Sequence, residues 1–250
     1  SDPEFDIGFD TNGDLDTAEI VTRCNNPSGD NYNAYVTKWY DQSGNGNDAV
    51  QTTHASMPKI ASTGAVITEN GKACLQLDGT DDYLKFAATM QSNFYYSVFG
   101  VRQGTDGMLL GSPDTNRYWA DFGGGGTAFT IQDGFNGGSN ATDYGIYRKN
   151  GAAAFTTFTT RTQYAAAFYD GNQTLMSFLT DGSALNQSFT NLFLGAYNGP
   201  ALYFNGNMQE FIMYQSTTSN QSSNASGIEG NVNAYFQIGN FGTPTSGLLA

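Results

Sequence analysis

Two segments of this chain share one grammar about 30 residues apart: an apolar run drives into a tight polar turn. The first is Trp39-Tyr40-Asp41-Gln42-Ser43-Gly44-Asn45-Gly46-Asn47 and the second is Leu77-Asp78-Gly79-Thr80-Asp81-Asp82-Tyr83-Leu84. In the first, glycines supply the positive φ that a sharp reversal needs, while Asp, Asn and Ser side chains hydrogen-bond nearby backbone. In the second, Ala73, Leu75 and Leu77 alternate with Gln76 before Asp-Gly turns the chain. Alternation with period two, stopped by such turns, specifies strands of an antiparallel sheet with one buried face.

The same vocabulary runs through the rest of the chain. Strands are predicted at 34–40, 58–61, 73–78, 83–87, 93–102, 107–110, 117–122, 127–131, 144–148, 163–169, 174–179, 190–196 and 201–214. Charged residues make up 13% of the chain, against 14% aromatic residues and 31 glycines, a balance that favours strands and turns over helices. The expected fold class is therefore all-β, two antiparallel sheets packed as a sandwich. The clearest hairpin is predicted between 163–169 and 174–179, across Asp170-Gly171. Two helices are expected beside the strands. One spans 16–24, with Asp16 as N-cap and Glu19 as its capping-box partner. The other spans about 222–236, with Ile228, Val232 and Tyr235 at helical spacing on the outside of the sandwich. Residues 1–238 then form a single sandwich domain, and the Gly/Thr/Ser/Pro-rich segment 239–250 reads as a tail or linker.

A net charge of −13, with only ten basic residues, argues against nucleic acid and anionic membranes, which both require clustered Lys and Arg. No apolar stretch is long enough to span a bilayer and none reads as a signal peptide. The opening Ser1-Asp2-Pro3-Glu4-Phe5 reads as the edge of a fragment of something larger, either native or a cloning scar. Two cysteines, Cys24 and Cys74, make no disulfide framework, and the unpaired reading is preferred because Cys74 fills a small position in a strand.

The two turn motifs also carry a resemblance. Asp6-Ile7-Gly8-Phe9, then Gly13-Asp14-Leu15-Asp16-Thr17-Ala18, then the Trp39 and Leu77 segments occur in this order in two related groups. The chain resembles concanavalin A-like or laminin G-like modules of phage and bacterial surface proteins. It is also similar to the catalytic module of B-type α-L-arabinofuranosidases. The similarity covers residues 6–87, with an echo in Gly206–Tyr214 and Ile228–Tyr235; residues 88–200 match neither group. The resemblance implies a jelly-roll sandwich that binds glycan. The enzymes use several disulfides, one between adjacent cysteines at the substrate pocket, and this chain has no adjacent cysteines.

Candidate sites follow from residue chemistry. Asp10, Asn12 and Asp14 place oxygen ligands at alternating positions, as a calcium loop does, but the glycine stands fourth and Val21 occupies the closing position. A turn followed by a helix N-cap is preferred there. No cofactor is expected, and calcium is allowed in other loops. Asp41 and Asp48, and likewise Asp78, Asp81 and Asp82, read first as turn-formers and second as sugar ligands. Tyr118, Trp119, Phe122, Tyr144, Tyr147, Tyr197, Asn198 and Tyr203 flank turns rich in Asn, Asp and Gly. Of these, Tyr118, Trp119, Tyr144, Tyr197 and Asn198, together with Asp121, are the expected ligand-binding residues, aromatics for stacking and polar groups for hydroxyls. A glycosidase would need two carboxylates across one sugar, for which Glu210 and Asp121 are the candidates. His54 is the only histidine, which removes His-based metal triads and Ser-His catalysis. Sequons at Asn140, Asn172, Asn186, Asn220 and Asn224 are expected by chance at this composition.

Together these features predict a recognition module on a virion or other extracellular surface, in a phage or viral fibre, a capsid decoration or a bacterial surface protein. Its expected partners are a cell-surface glycan and a larger parent chain or virion subunits. The rivals are an arabinofuranosidase-type glycoside hydrolase and a structural module that mediates virion assembly.

Overall fold

The computed structural model describes residues 3–25, 28–92, 94–101, 108–112, 117–121, 145–152, 171–180, 187–196, 203–214 and 223–239. In the first half, helix α1 (Thr17–Cys24) precedes β1 (Ala34–Tyr35), β2 (Lys38–Trp39), β3 (Ala49–Val50), β4 (Lys59–Ser62) and β5 (Ala65–Val66). Then come β6 (Thr68–Glu69), β7 (Lys72–Ala73), β8 (Leu75–Asp78), β9 (Leu84–Phe86), β10 (Met90–Ser92) and β11 (Phe94–Val101). The second half holds β12 (Met108–Ser112), β13 (Arg117–Asp121), β14 (Gly145–Lys149), β15 (Gln173–Thr180) and β16 (Gln187–Phe189). It ends with β17 (Phe193–Leu194), β18 (Asn205–Tyr214) and helix α2 (Ala225–Phe236).

The strands pair antiparallel in two main sheets. An eight-stranded sheet runs β1-β4-β8-β18-β11-β15-β14, with β5 paired to β4; a six-stranded sheet runs β13-β12-β17-β9-β3-β2. Their facing sides share one core. Leu75, Leu77, Met176 and Met208 come from the larger sheet; Ala49, Leu84, Phe86, Leu109, Leu110 and Leu194 come from the smaller. Phe189, Leu192 and Phe204 fill the space between. The alternation read from 73–78 is thus met: Leu75 and Leu77 are buried between the sheets while Gln76 is half-buried. The described residues are mostly antiparallel β with two α-helices, and the two main sheets form a sandwich-like architecture. No described helix is long and apolar enough to cross a membrane.

Several expectations shift in detail. The strand expected at 34–40 divides, because β1 pairs with β4 in the larger sheet while β2 pairs with β3 in the smaller. Both edges of β15 are taken, by β11 and β14, and the other half of the hairpin expected between 163–169 and 174–179 lies outside the described residues. Strands expected at 127–131 and 163–169, and the tail beyond Gly239, lie outside the described residues. β3, β5, β6, β10 and β16 fall outside the expected strands. Hairpin β6–β7 is built on Asn70-Gly71, both at positive φ (48° and 76°), the geometry a two-residue hairpin favours. Cys24 and Cys74 are both buried and are not joined in a disulfide.

Helix α1 starts as its sequence dictates, with the Asp16 carboxylate accepting from the Glu19 backbone N–H at 2.9 Å. The reciprocal half of the capping box does not form. The Asp16 N–H is taken by the Gly8 carbonyl, and the Glu19 carboxylate turns to Arg23 at 2.9 Å. Asp16→Ala is therefore expected to lower stability by about 1 kcal/mol, read as a shift in the urea midpoint.

Helix α2 packs on the eight-stranded sheet, on the side away from the shared core. Ala225, Val232, Phe236 and Ile238 are buried there with Leu175, and Ile212 and Tyr214 pack against them. Val232 and Ile228 pack inward as expected, but Glu229 joins them at 1% exposed while Tyr235 is 42% exposed. The reason is a partner 81 residues away in sequence. The Arg148 Nε lies 2.8 Å from Glu229 Oε1 and the Arg148 Nη2 2.9 Å from Oε2, while Ser177 Oγ donates to Oε1 at 2.7 Å. At the other end of α2, the Asn70 amide donates to the carbonyls of Phe236 and Gln237 at 2.9 and 2.6 Å. The β6–β7 turn thereby caps carbonyls that a helix end leaves without intrahelical partners.

Candidate functional site

The second turn motif links β8 of one sheet to β9 of the other, so it crosses the rim of the sandwich. Asp78 organises it: its Oδ1 accepts from the Thr80 and Asp81 backbone N–H groups at 2.7 and 3.3 Å. Gly79, at φ 76°, lies against Asn205, where a Cβ would crowd that side chain. Asp82 turns inward, 7% exposed, and its Oδ2 accepts from the Asp78 N–H at 3.0 Å. Burial, then the neighbouring Asp78 charge, pushes the Asp82 carboxyl up to about 7, so it carries a proton much of the time at neutral pH. One oxygen from each of Asp78, Asp81 and Asp82 falls within 4.8 Å of the others, the only such carboxylate trio among the described residues. Ser56 Oγ donates to Asp81 at 3.4 Å from the short helical turn His54–Ser56.

Aromatic rings continue from this acidic rim onto the six-stranded sheet. Tyr83 stacks on Tyr203 with ring centroids 6.4 Å apart and meets Phe193 edge-on at 5.5 Å. Strand alternation explains the placement. Leu84 and Phe86 of β9, and Leu192 and Leu194 around β17, enter the shared core, so Lys85 and Phe193 take the opposite face. Those two are cross-strand partners, and Lys85 Nζ lies 5.7 Å from the Phe193 ring centroid. The row extends from Phe193 to Gly111 and on to Tyr118 in one direction, and from Lys85 to Val50 and Lys38 in the other.

The expected ligand-binding residues divide accordingly. Tyr118, Trp119 and Asp121 lie on β13, the edge strand of the six-stranded sheet. Tyr118 pairs with Gly111 in the row just described, whereas Trp119 pairs with the buried Leu110. Tyr144, Tyr197 and Asn198 lie outside the described residues. Tyr83, Phe193, Lys85 and Ser56 were not singled out as site residues. The signal for three of them was the alternation Tyr83-Leu84-Lys85-Phe86 and Leu192-Phe193-Leu194, whose polar or second face needed a role.

Glu210 and Asp121 are not brought together. Asp121 is on the six-stranded sheet, while Glu210 lies on β18 of the other. Phe211 and Met213 pack toward the shared core, and Ile212 and Tyr214 toward α2, so alternation turns Glu210 to the α2 side. The Glu210 carboxyl is pushed up to about 7 by burial, and its charge acts on Tyr235 of α2.

The remaining acids serve their turns. Asp41 accepts from the Ser43 and Asn47 N–H groups at 2.8 and 2.9 Å, and hydrogen bonds from Ser43 and Asn47 hold its carboxyl below the ordinary range. Asp48 accepts from the Asp41 N–H at 2.9 Å. Asp10 accepts from the Asn12 and Asp14 N–H groups at 2.8 and 3.0 Å, while Asp14 pairs with Lys72 at 3.1 Å. Asp10 thus organises its turn and Asp14 pairs with a lysine.

Neither a family model, nor a curated protein, nor a solved structure matches the chain.

Proposed function

We propose that this chain is a carbohydrate-recognition module of the concanavalin A-like, jelly-roll kind, displayed on a phage, viral or bacterial surface and binding a cell-surface glycan. The observation that carries the reading is the half-buried ring pair Tyr203–Tyr83, backed by the buried Phe193, beside Asp81 at the sandwich rim. Sugars present apolar C–H faces and hydroxyl edges, so recognition needs half-exposed aromatic faces next to carboxylate and hydroxyl groups. Tyr83, Tyr203, Asp81 and Ser56 are all half-buried and supply both kinds of group. Around β15 the far face of the eight-stranded sheet is closed by α2, which favours the rim and the six-stranded sheet as the binding surface. Reversible binding is favoured over hydrolysis because the two candidate catalytic carboxylates sit on different sheets.

The test is glycan binding by Tyr83→Ala and Tyr203→Ala, with the fold checked by circular dichroism. Each loss of a stacking ring is expected to weaken binding roughly tenfold. Unchanged affinity in both variants would remove this rim from consideration.

A further inference from the structure

The chain carries 23 acidic and only 10 basic residues, so carboxylates are in excess and a lysine finds a partner easily. Arg23, Lys38, Lys72 and Arg148 each have a carboxylate within 4 Å. Lys59 has the buried Asp82, whose charge it favours. Lys85 differs. It is half-buried, it makes no ion pair among the described residues, and it lies over Phe193 beside the Tyr83 ring. Its two cross-strand neighbours, Phe193 and Val50, are both apolar, and beyond Phe193 the row continues through Gly111, which has no side chain. An ammonium held among apolar neighbours interacts more strongly with an incoming anion than one in bulk water.

We infer that the Lys85 ammonium receives an acidic group, so that the module selects a saccharide bearing an isolated carboxylate or sulfate over its neutral counterpart. The inference rests on the recognition reading above and specifies the charge of its ligand. The three acids at the rim and the net charge of −13 set the limit. A densely charged polyanion would be repelled over roughly 8 Å at physiological salt, whereas one acidic group seated at Lys85 would not.

The test measures affinity of the wild-type chain, Lys85→Gln and Lys59→Gln for paired oligosaccharides that differ only by one carboxylate or sulfate. A heavily sulfated polysaccharide serves as a further ligand, and circular dichroism verifies each variant. The wild type is expected to prefer the acidic member about tenfold, as a charge-assisted hydrogen bond allows. Lys85→Gln is expected to erase the preference, Lys59→Gln to keep it, and the polysaccharide to bind weakly. Equal affinity for both members in the wild type, or a preference that survives Lys85→Gln, overturns the inference and leaves recognition standing. Binding to no saccharide overturns the recognition reading and this inference with it.

Discussion

Replacing Glu229 with glutamine is expected to cost the fold about 3–5 kcal/mol, because it leaves the Arg148 guanidinium without its counter-charge in the interior. Glu229 is 1% exposed and accepts hydrogen bonds from Arg148 and Ser177, and Arg148 also donates to the Gly151 carbonyl at 3.0 Å. The pair joins α2 to β14, the edge strand of the larger sheet, so its loss should also loosen the helix from that sheet. Burying two charges is itself expensive, and apolar replacements of similar volume often match an ion pair in stability. The double variant Arg148→Met/Glu229→Leu should therefore recover most of the loss. Urea unfolding measures both, and a deficit below about 1 kcal/mol in Glu229→Gln would show that the ion pair contributes little to holding α2.

The second large effect is on pH. Asp82 and Glu210 both titrate near 7 in the folded chain, against 3.8 and 4.5 for their unperturbed forms, and burial is the leading cause for each. The folded state therefore holds these protons more tightly than the unfolded state. Stability from this source is present at low pH and falls as pH rises from about 4 through 7. Asp14 and Asp41 shift the other way and oppose the trend only below the ordinary carboxylate range. The chain should be more stable at pH 5.5 than at pH 8, by a few kcal/mol in total. Asp82→Asn and Glu210→Gln should each flatten part of that slope. A stability that rises across the same interval would contradict the placement of both carboxyls.

Much of the sandwich was legible because burial follows period two. Leu75/Leu77 against Gln76, and Leu84/Phe86 against Lys85, mark the shared core directly. What escaped was set by contacts distant in sequence. Nothing near Glu229 announces Arg148, so the spacing marks Ile228 and Val232 on the inner face correctly but adds Tyr235 and misses Glu229. β15 pairs with β11 and β14, two segments distant from it in sequence, which a local turn signal cannot weigh. The β6–β7 hairpin was legible and overlooked, since Asn70-Gly71 is the standard signature of its turn. The rim was marked by its Asp-rich motif, but its rings are assembled from three places in the chain. Tyr83, Phe193 and Tyr203 meet only once the strands are in register.

The most direct test of the central claim is a glycan-array screen of the purified chain, with and without calcium, scoring both binding and release of reducing sugar. The account predicts binding that depends on Tyr83 and Tyr203 and releases no sugar. Turnover of arabinofuranosides would contradict it in favour of a hydrolase, and silence in both channels would contradict it in favour of an assembly role.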